Sequence, residues 1–222
     1  MSNAILIIGE SGTGKSTSIR TLPPEETFII NVLGKPLPFR GSNKKYVKVN
    51  ASGVGNYFAS DNHQKIKDAI TYVNNTRPDI KYVVIDDFGY TITNSFMRKA
   101  LIKGFEKFTE MARDAWEILN AVKEMRDDLT CFITMHSDID AHGKSKPKTL
   151  GKLLDEKICV EGMFTTVLHS IVVDGQYYFV TNHDGAHMAK TSIDMFQTNR
   201  IPNDLKLVAD TIHNYNNEDV PL

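Results

Sequence analysis

Residues 9 to 17, GESGTGKST, constrain this chain more than any other stretch. Gly9, four residues, then Gly14, Lys15 and Ser16 reproduce the phosphate-binding spacing G-x-x-x-x-G-K-[ST] position by position. The flanks have the required order. Residues 4 to 8, AILII, read as a short buried strand, and STSIRTL after the loop reads as a helix that Pro23 and Pro24 stop. Successive backbone N–H groups in such a loop, with the positive end of the next helix, form a concave anion site. Gly12 and Gly14 let the backbone approach phosphate where a side chain would collide. The expected cradle is therefore Gly9, Glu10, Ser11, Gly12, Thr13, Gly14, Lys15, Ser16 and Thr17. Lys15 is expected to reach β- and γ-phosphate oxygens, and the Ser16 hydroxyl to ligate Mg²⁺. The bland alternative is a Gly/Ser turn that happens to carry a lysine, and the flanking strand and helix weigh against it.

A chain of 222 residues can bury one sizeable core, so a single domain over 1–222 is expected. With 41% hydrophobic and 24% charged residues, the composition excludes wholesale disorder. No apolar stretch approaches the roughly 18 residues of a membrane span, and no signal-like segment opens the chain, so a cytoplasmic, membrane-free protein is expected. Cys131 and Cys159 both sit in apolar, strand-like sequence and read as buried free thiols. A zinc site built from them with His136 and His142 matches none of the usual ligand spacings.

The net charge of −1 argues against coating nucleic acid through bulk positive charge. Local charge is different. GKSKPKTLGK (143 to 152) carries Lys144, Lys146, Lys148 and Lys152, and the stretch from Lys35 to Lys48 adds Arg40, Lys44 and Lys45. Solvated loops kept soluble by lysine are the alternative to a nucleic-acid contact.

Along the chain, TFIINV (27 to 32) and KYVKVN (45 to 50) read as strands around the turn-rich GKPLPFRGS. Residues 62 to 76 suit a helix, and apolar spacing from Phe105 predicts a long amphipathic helix to about Met125. LTCFITM (129 to 135) is a buried strand. TTVLHSIVV and QYYFVTN flank Asp174-Gly175, a two-residue hairpin signal, so 165 to 181 should be antiparallel. Residues 203 to 215 close the pattern as a helix capped by Asn203. The expected fold is α/β, a mostly parallel sheet flanked by helices with a C-terminal antiparallel hairpin.

Hydrolysis needs a metal anchor and a group that positions water. In YVVIDD, Tyr82 to Ile85 read as a central strand, and Asp86 falls at its carboxyl end, where ligands bind in open α/β sheets. Asp86 is expected to hold Mg²⁺ through a water, in the Walker B role. Asp87 is the candidate to orient or deprotonate the attacking water, although adjacent strand residues point oppositely. His136, at the end of the 129–135 strand, is a candidate sensor of the γ-phosphate, against the plainer reading of a hydrogen-bonded surface histidine.

GESGTGKSTSIRTL with TFIINVLGKPLPFRG, YVVIDD, the strand into MHSD and the closing GAHMAKTSIDMF resemble the bacteriophage ATPases with a RecA-like core, a group that includes single-strand annealing and recombination-mediator proteins. The resemblance implies a RecA-like P-loop NTPase fold, ATP with Mg²⁺, assembly into a ring or filament, and single-stranded DNA as partner. It carries nucleotide and metal roles to Lys15, Ser16 and Asp86. It also implies a glutamate just after the strand that follows the P-loop helix, where this chain has Asn31, Val32 and Leu33. Either Asp87 replaces it or turnover is slow. A basic residue reaching the neighbouring protomer's nucleotide would be Lys190 or Lys152, and the family's DNA-binding loops would correspond to residues 138 to 157.

The leading expectation is an oligomeric, DNA-stimulated ATPase of phage recombination or replication. The alternatives are a P-loop kinase for a nucleotide or other small molecule, and a nucleotide-switched assembly factor that barely hydrolyses. The kinase reading lacks its arginine-rich lid, since residues 136 to 160 hold lysines and no arginine.

Overall fold

The computed structural model describes residues 2–140, 143–149 and 159–217. Strands β1 (Asn3–Gly9), β2 (Thr27–Asn31), β3 (Tyr57–Ala59), β4 (Tyr82–Asp86), β5 (Thr130–Ile139) and β7 (Thr166–Val173) supply the parallel part of one sheet. Strands β8 (Gln176–Val180) and β9 (Arg200–Pro202) extend it antiparallel, giving the order β3-β2-β4-β5-β1-β7-β8-β9. Strand β6 (Ser145–Pro147) lies off this path and pairs with the end of β5. The architecture is α/β, a mostly parallel central sheet flanked by helices, compatible with a Rossmann-like or RecA-like fold.

Alternate residues of each strand feed opposite faces, as the two-residue period of a strand requires. Leu6, Ile8, Ile30, Ile85 and Ile133 pack under helices α2 (His63–Thr76), α3 (Gly89–Arg98) and α4 (Glu106–Lys123). Ile5, Ile7, Ile29, Val84 and Phe132 pack on the other face, against the turn after the glycine loop and helix α5 (Leu205–Asn217). Each fully buried aliphatic side chain contributes about 1.5–3 kcal/mol, against about 0–1 for a surface ion pair such as Lys206–Asp210, so the two apolar layers set the architecture.

Parallel pairing brings the carboxyl ends of the strands to one edge. Gly9 of β1 stands opposite His136 of β5, and Asn31 of β2 opposite Asp86 of β4.

Several sequence expectations are corrected. The segment after the glycine loop is a five-residue 3₁₀ helix, Thr17–Thr21, because Leu22 and Pro23, each preceding a proline, are held extended. Residues 45–50 do not form a strand. Ser42–Lys45 make one helical turn (α1), Lys48 makes only an isolated bridge to Tyr57, and β3 takes the place beside β2. Asn56 fixes this arrangement by accepting from Val47 N–H and donating to the carbonyls of Pro24 and Lys45. Phe105 precedes α4 and is 74% exposed, outside the stripe that packs on the sheet.

The hairpin forms as expected, with Asp174 and Gly175 both at positive φ as a tight two-residue turn needs. The cap of α5 is Asp204, whose Oδ1 accepts from Leu207 N–H, because Asn203 is turned toward Tyr177 and Arg20. Of the two free cysteines, Cys131 is buried and Cys159 is exposed. Among the described residues no helix is long and apolar enough to cross a membrane.

Candidate functional site

The glycine loop bridges the end of β1 and the 3₁₀ turn. Gly12 and Gly14 have φ of 81° and 98°, a region open to glycine and strained for other residues. A Cβ on Gly12 would meet nothing within 4 Å, so backbone conformation alone selects glycine there. On one flank Ser170 of β7 donates to Thr13 O at 2.5 Å, and within the loop Thr13 Oγ1 donates to Glu10 O at 2.9 Å. These bonds fix the loop as a concave turn above β1.

Lys15 is 5% exposed, with Nζ donating to Gly9 O at 2.8 Å and Glu10 O at 2.6 Å. Burial brings its pKa down to about 8, against the pull of Asp87 and Asp86. An arriving phosphate would exchange those neutral carbonyls for charged acceptors and restore the lysine's positive charge.

Ser16 and Asp86 meet directly. Ser16 Oγ donates to Asp86 Oδ1 at 2.9 Å, and Thr134 Oγ1 donates to the same oxygen at 2.8 Å. The second carboxylate oxygen, Asp86 Oδ2, is buried without a hydrogen-bond partner among the described residues. Burial, then the neighbouring Asp87 charge, raises the Asp86 pKa to about 6. A hydroxyl beside a fully buried carboxylate with a spare oxygen fits a hard divalent cation such as Mg²⁺, which takes one or two protein oxygens and keeps waters.

Asp87 departs from strand alternation. Its φ of 62° lies in the left-handed region, so the chain turns at the strand end instead of sending this carboxylate to the opposite face. Its N–H donates to Thr134 Oγ1 at 2.8 Å, and its buried carboxylate forms an ion pair with Lys35. His136 Nε2 stands 3.8 Å from Asp87 Oδ1, with its ring edge-on to Tyr90. Burial, reinforced by the Lys15 charge, holds the His136 pKa below its ordinary value, so the neutral ring dominates near pH 7. The Lys35 pKa is raised despite its partial burial, because Asp87 accepts its hydrogen bond.

The position where the resemblance implies a glutamate is occupied by a structural asparagine. Asn31 is fully buried, its Oδ1 accepts from Gly34 N–H at 2.7 Å, and its Nδ2 donates to Lys35 O at 3.0 Å. Asn31 thus shapes the turn that presents Lys35 to Asp87. Lys35, His136, Tyr90, Lys148, Glu10 and Ser11 line a depression of about 600 Å³ beside the loop.

The structure therefore brings together Gly9 to Thr17, Asp86, Asp87 and His136. Lys190 stands apart, with its backbone bridged to Val167 and its residue exposed. Lys152 and His142 lie outside the described residues. Residues 137–139 and 145–147, overlapping the expected DNA loop of 138 to 157, are paired strands; Lys144 lies in the turn between them, Lys146 stands opposite Asp138, and Lys148 N–H donates to His136 O at 2.7 Å.

Thr134 was not among the sequence candidates, Lys35 was read only as one end of a basic stretch, and Asn31 only as standing where a glutamate is implied. Thr134 leaves a faint signal, a hydroxyl in the otherwise apolar CFITM, but its role depends on the pairing of β4 with β5. Compared with protein-family models and with curated proteins, the sequence gives no match in either case.

Proposed function

We propose that the chain binds ATP with Mg²⁺ at the Gly9–Thr17 loop and hydrolyses it, as a RecA-like ATPase working as an oligomer on single-stranded DNA. The observation that carries the nucleotide reading is the junction of Ser16 with Asp86, 2.9 Å apart, next to a buried carboxylate oxygen without a partner among the described residues. In this reading Lys15 meets the phosphates, Ser16 and Asp86 hold the cation, Asp87 orients water and His136 donates near the γ-phosphate. Mg²⁺ held by Ser16 and Asp86 would supply neutralisation of phosphate charge.

The DNA part rests on the β5–β6 hairpin. It continues the strand that supplies Thr134 and His136, and it carries Lys144, Lys146 and Lys148, so a contact to DNA phosphates there would sit on the same element as the site. Oligomer formation, a trans role for Lys190 or Lys152, and action in phage recombination or replication come from the resemblance of the sequence.

One observation favours a second reading, a nucleotide-driven switch with little turnover. Asn31 stands where the glutamate is implied, and the Asp87 carboxylate is already engaged by Lys35. Phosphate release measured with and without single-stranded DNA separates the two. The ATPase reading expects DNA to raise the rate, while tight binding with release no faster than background in either condition supports the switch. Phosphoryl transfer to a nucleoside acceptor would support a kinase instead.

A further inference from the structure

The loop has two ends with different surroundings. Glu10 and Ser11, near its start, line the depression that holds His136 and Lys35. Gly14, at its other end, lies against Tyr177, so close that a Cβ there would fall 2.8 Å from Tyr177 Cδ1. The sheet repeats this polarity. Asp86 is on β4, two strands to one side of β1, and Tyr177 is on β8, two strands to the other. At the ordinary strand spacing each lies about 10 Å from the axis of β1.

In the nucleotide reading, a phosphate chain whose terminal end faces Asp86 and which follows the loop toward Gly14 carries its nucleoside to the side of β7 and β8. The residue waiting there is Tyr177. It shares a sheet face with buried Phe179 and the 3₁₀ turn, yet it is 42% exposed while Phe179 is fully buried. Its position is fixed from below. Asn203, 3% exposed, donates its N–H to Tyr177 O at 3.2 Å, and its Oδ1 accepts from Arg20 Nη1 at 3.3 Å. Arg20 Nη1 also donates to Thr17 O at 2.8 Å, tying the strand to the end of the loop. Asn203 Nδ2 is buried against Gly14 without a partner among the described residues. The ring is thus an exposed aromatic surface on a supported backbone, next to the Gly14 end of the loop.

We propose that Tyr177 is the platform on which the nucleotide base stacks, a specificity contact that separates nucleoside polyphosphates from bare polyphosphate. The proposal rests on the nucleotide reading of the loop. Aromatic stacking suits any base, since every base has a π-face, and the phenol hydroxyl is not needed for it.

The test is calorimetric titration of Mg·ADP and of Mg·tripolyphosphate into the wild-type chain, Tyr177→Ala and Tyr177→Phe. Tyr177→Ala should weaken ADP roughly 5- to 100-fold, the size of one aromatic–base stack, and leave tripolyphosphate affinity unchanged. Tyr177→Phe should keep ADP affinity within about threefold, because the ring face remains. Unchanged ADP affinity in Tyr177→Ala would overturn the platform. So would an equal loss for both ligands, which would mean that the ring only shapes the loop around Gly14. A wild-type chain that binds neither ligand would instead remove the nucleotide reading beneath it.

Discussion

Ser16 and Asp86, 70 residues apart in sequence, are joined by a 2.9 Å hydrogen bond from the Ser16 hydroxyl to Asp86 Oδ1. The bond exists because β1 and β4 both pair with β5 in parallel, so the loop leaving Gly9 and the end of Tyr82–Asp86 emerge at one edge. Thr134 of β5, the strand between them, donates to the same carboxylate and accepts from Asp87 N–H.

Lys15→Ala removes the one buried cation of the loop while leaving its glycine conformation intact. Nucleotide affinity should fall roughly 10- to 100-fold, the scale of a charge-assisted contact, with the melting temperature preserved or raised. Titration and thermal unfolding of the same preparation check both parts. Wild-type affinity in this variant would remove Lys15 from the site.

Two groups of the site contribute to the pH dependence of the nucleotide-free chain. Asp86, raised to about 6, favours the folded state below its unfolded pKa near 4 and loses that contribution as pH rises through 6. Lys15, lowered to about 8, contributes above its unfolded value near 10.5 and loses that contribution as pH falls through 8. Between pH 6 and 8 both of these contributions are absent, each being worth roughly 1 to 3 kcal/mol. Buried His169, its pKa held down to about 4, acts with the opposite sign between pH 4 and 6.5, so the Asp86 contribution is read as a difference: in denaturant unfolding, Asp86→Asn should gain stability relative to the wild type as pH rises from 4 to 8. A wild-type slope in the variant would assign the dependence elsewhere.

The glycine loop, Asp86 and the parallel sheet were legible because each is written in contiguous residues: a fixed spacing, a run of four apolar residues before a carboxylate, alternating apolar segments. The convergence of Asp87 was not. It depends on a left-handed φ of 62° at the strand end, which no local pattern announces for an aspartate. Thr134 and Lys35 were hidden for a different reason. One acts through the register of β4 on β5, and the other through a turn that Asn31 builds, and both are long-range or side-chain-defined. The 45–50 segment misled because its alternation is real, while Asn56 ties it to a loop and Tyr57–Ala59 takes the edge.

Thr134→Val keeps the shape of a buried residue and deletes the hydroxyl that serves both carboxylate positions. The Asp87 N–H then loses its acceptor, which should cost about 1–3 kcal/mol in chemical denaturation. Mg²⁺-dependent turnover should fall along with it. Unchanged stability and turnover would mean that Thr134 is dispensable to the carboxylate pair.

The hairpin lysines give a salt-dependent readout. If Lys144 and Lys146 each neutralise one DNA phosphate, the double alanine variant should lower the single-strand salt slope by about 1.4 in total, at about 0.7 per contact. Binding should weaken similarly across sequences. An unaltered slope in anisotropy titrations would return these lysines to the role of solvated surface.

If Ser16 and Asp86 form a nucleotide-coupled Mg²⁺ site, ATP titration in Mg²⁺ and in EDTA will show it. In the wild-type chain Mg²⁺ should tighten ATP binding at least about tenfold, and Asp86→Asn should lose that gain while keeping the metal-free affinity. A wild-type chain that binds no ATP, or an Asp86→Asn variant with the full Mg²⁺ effect, would contradict it.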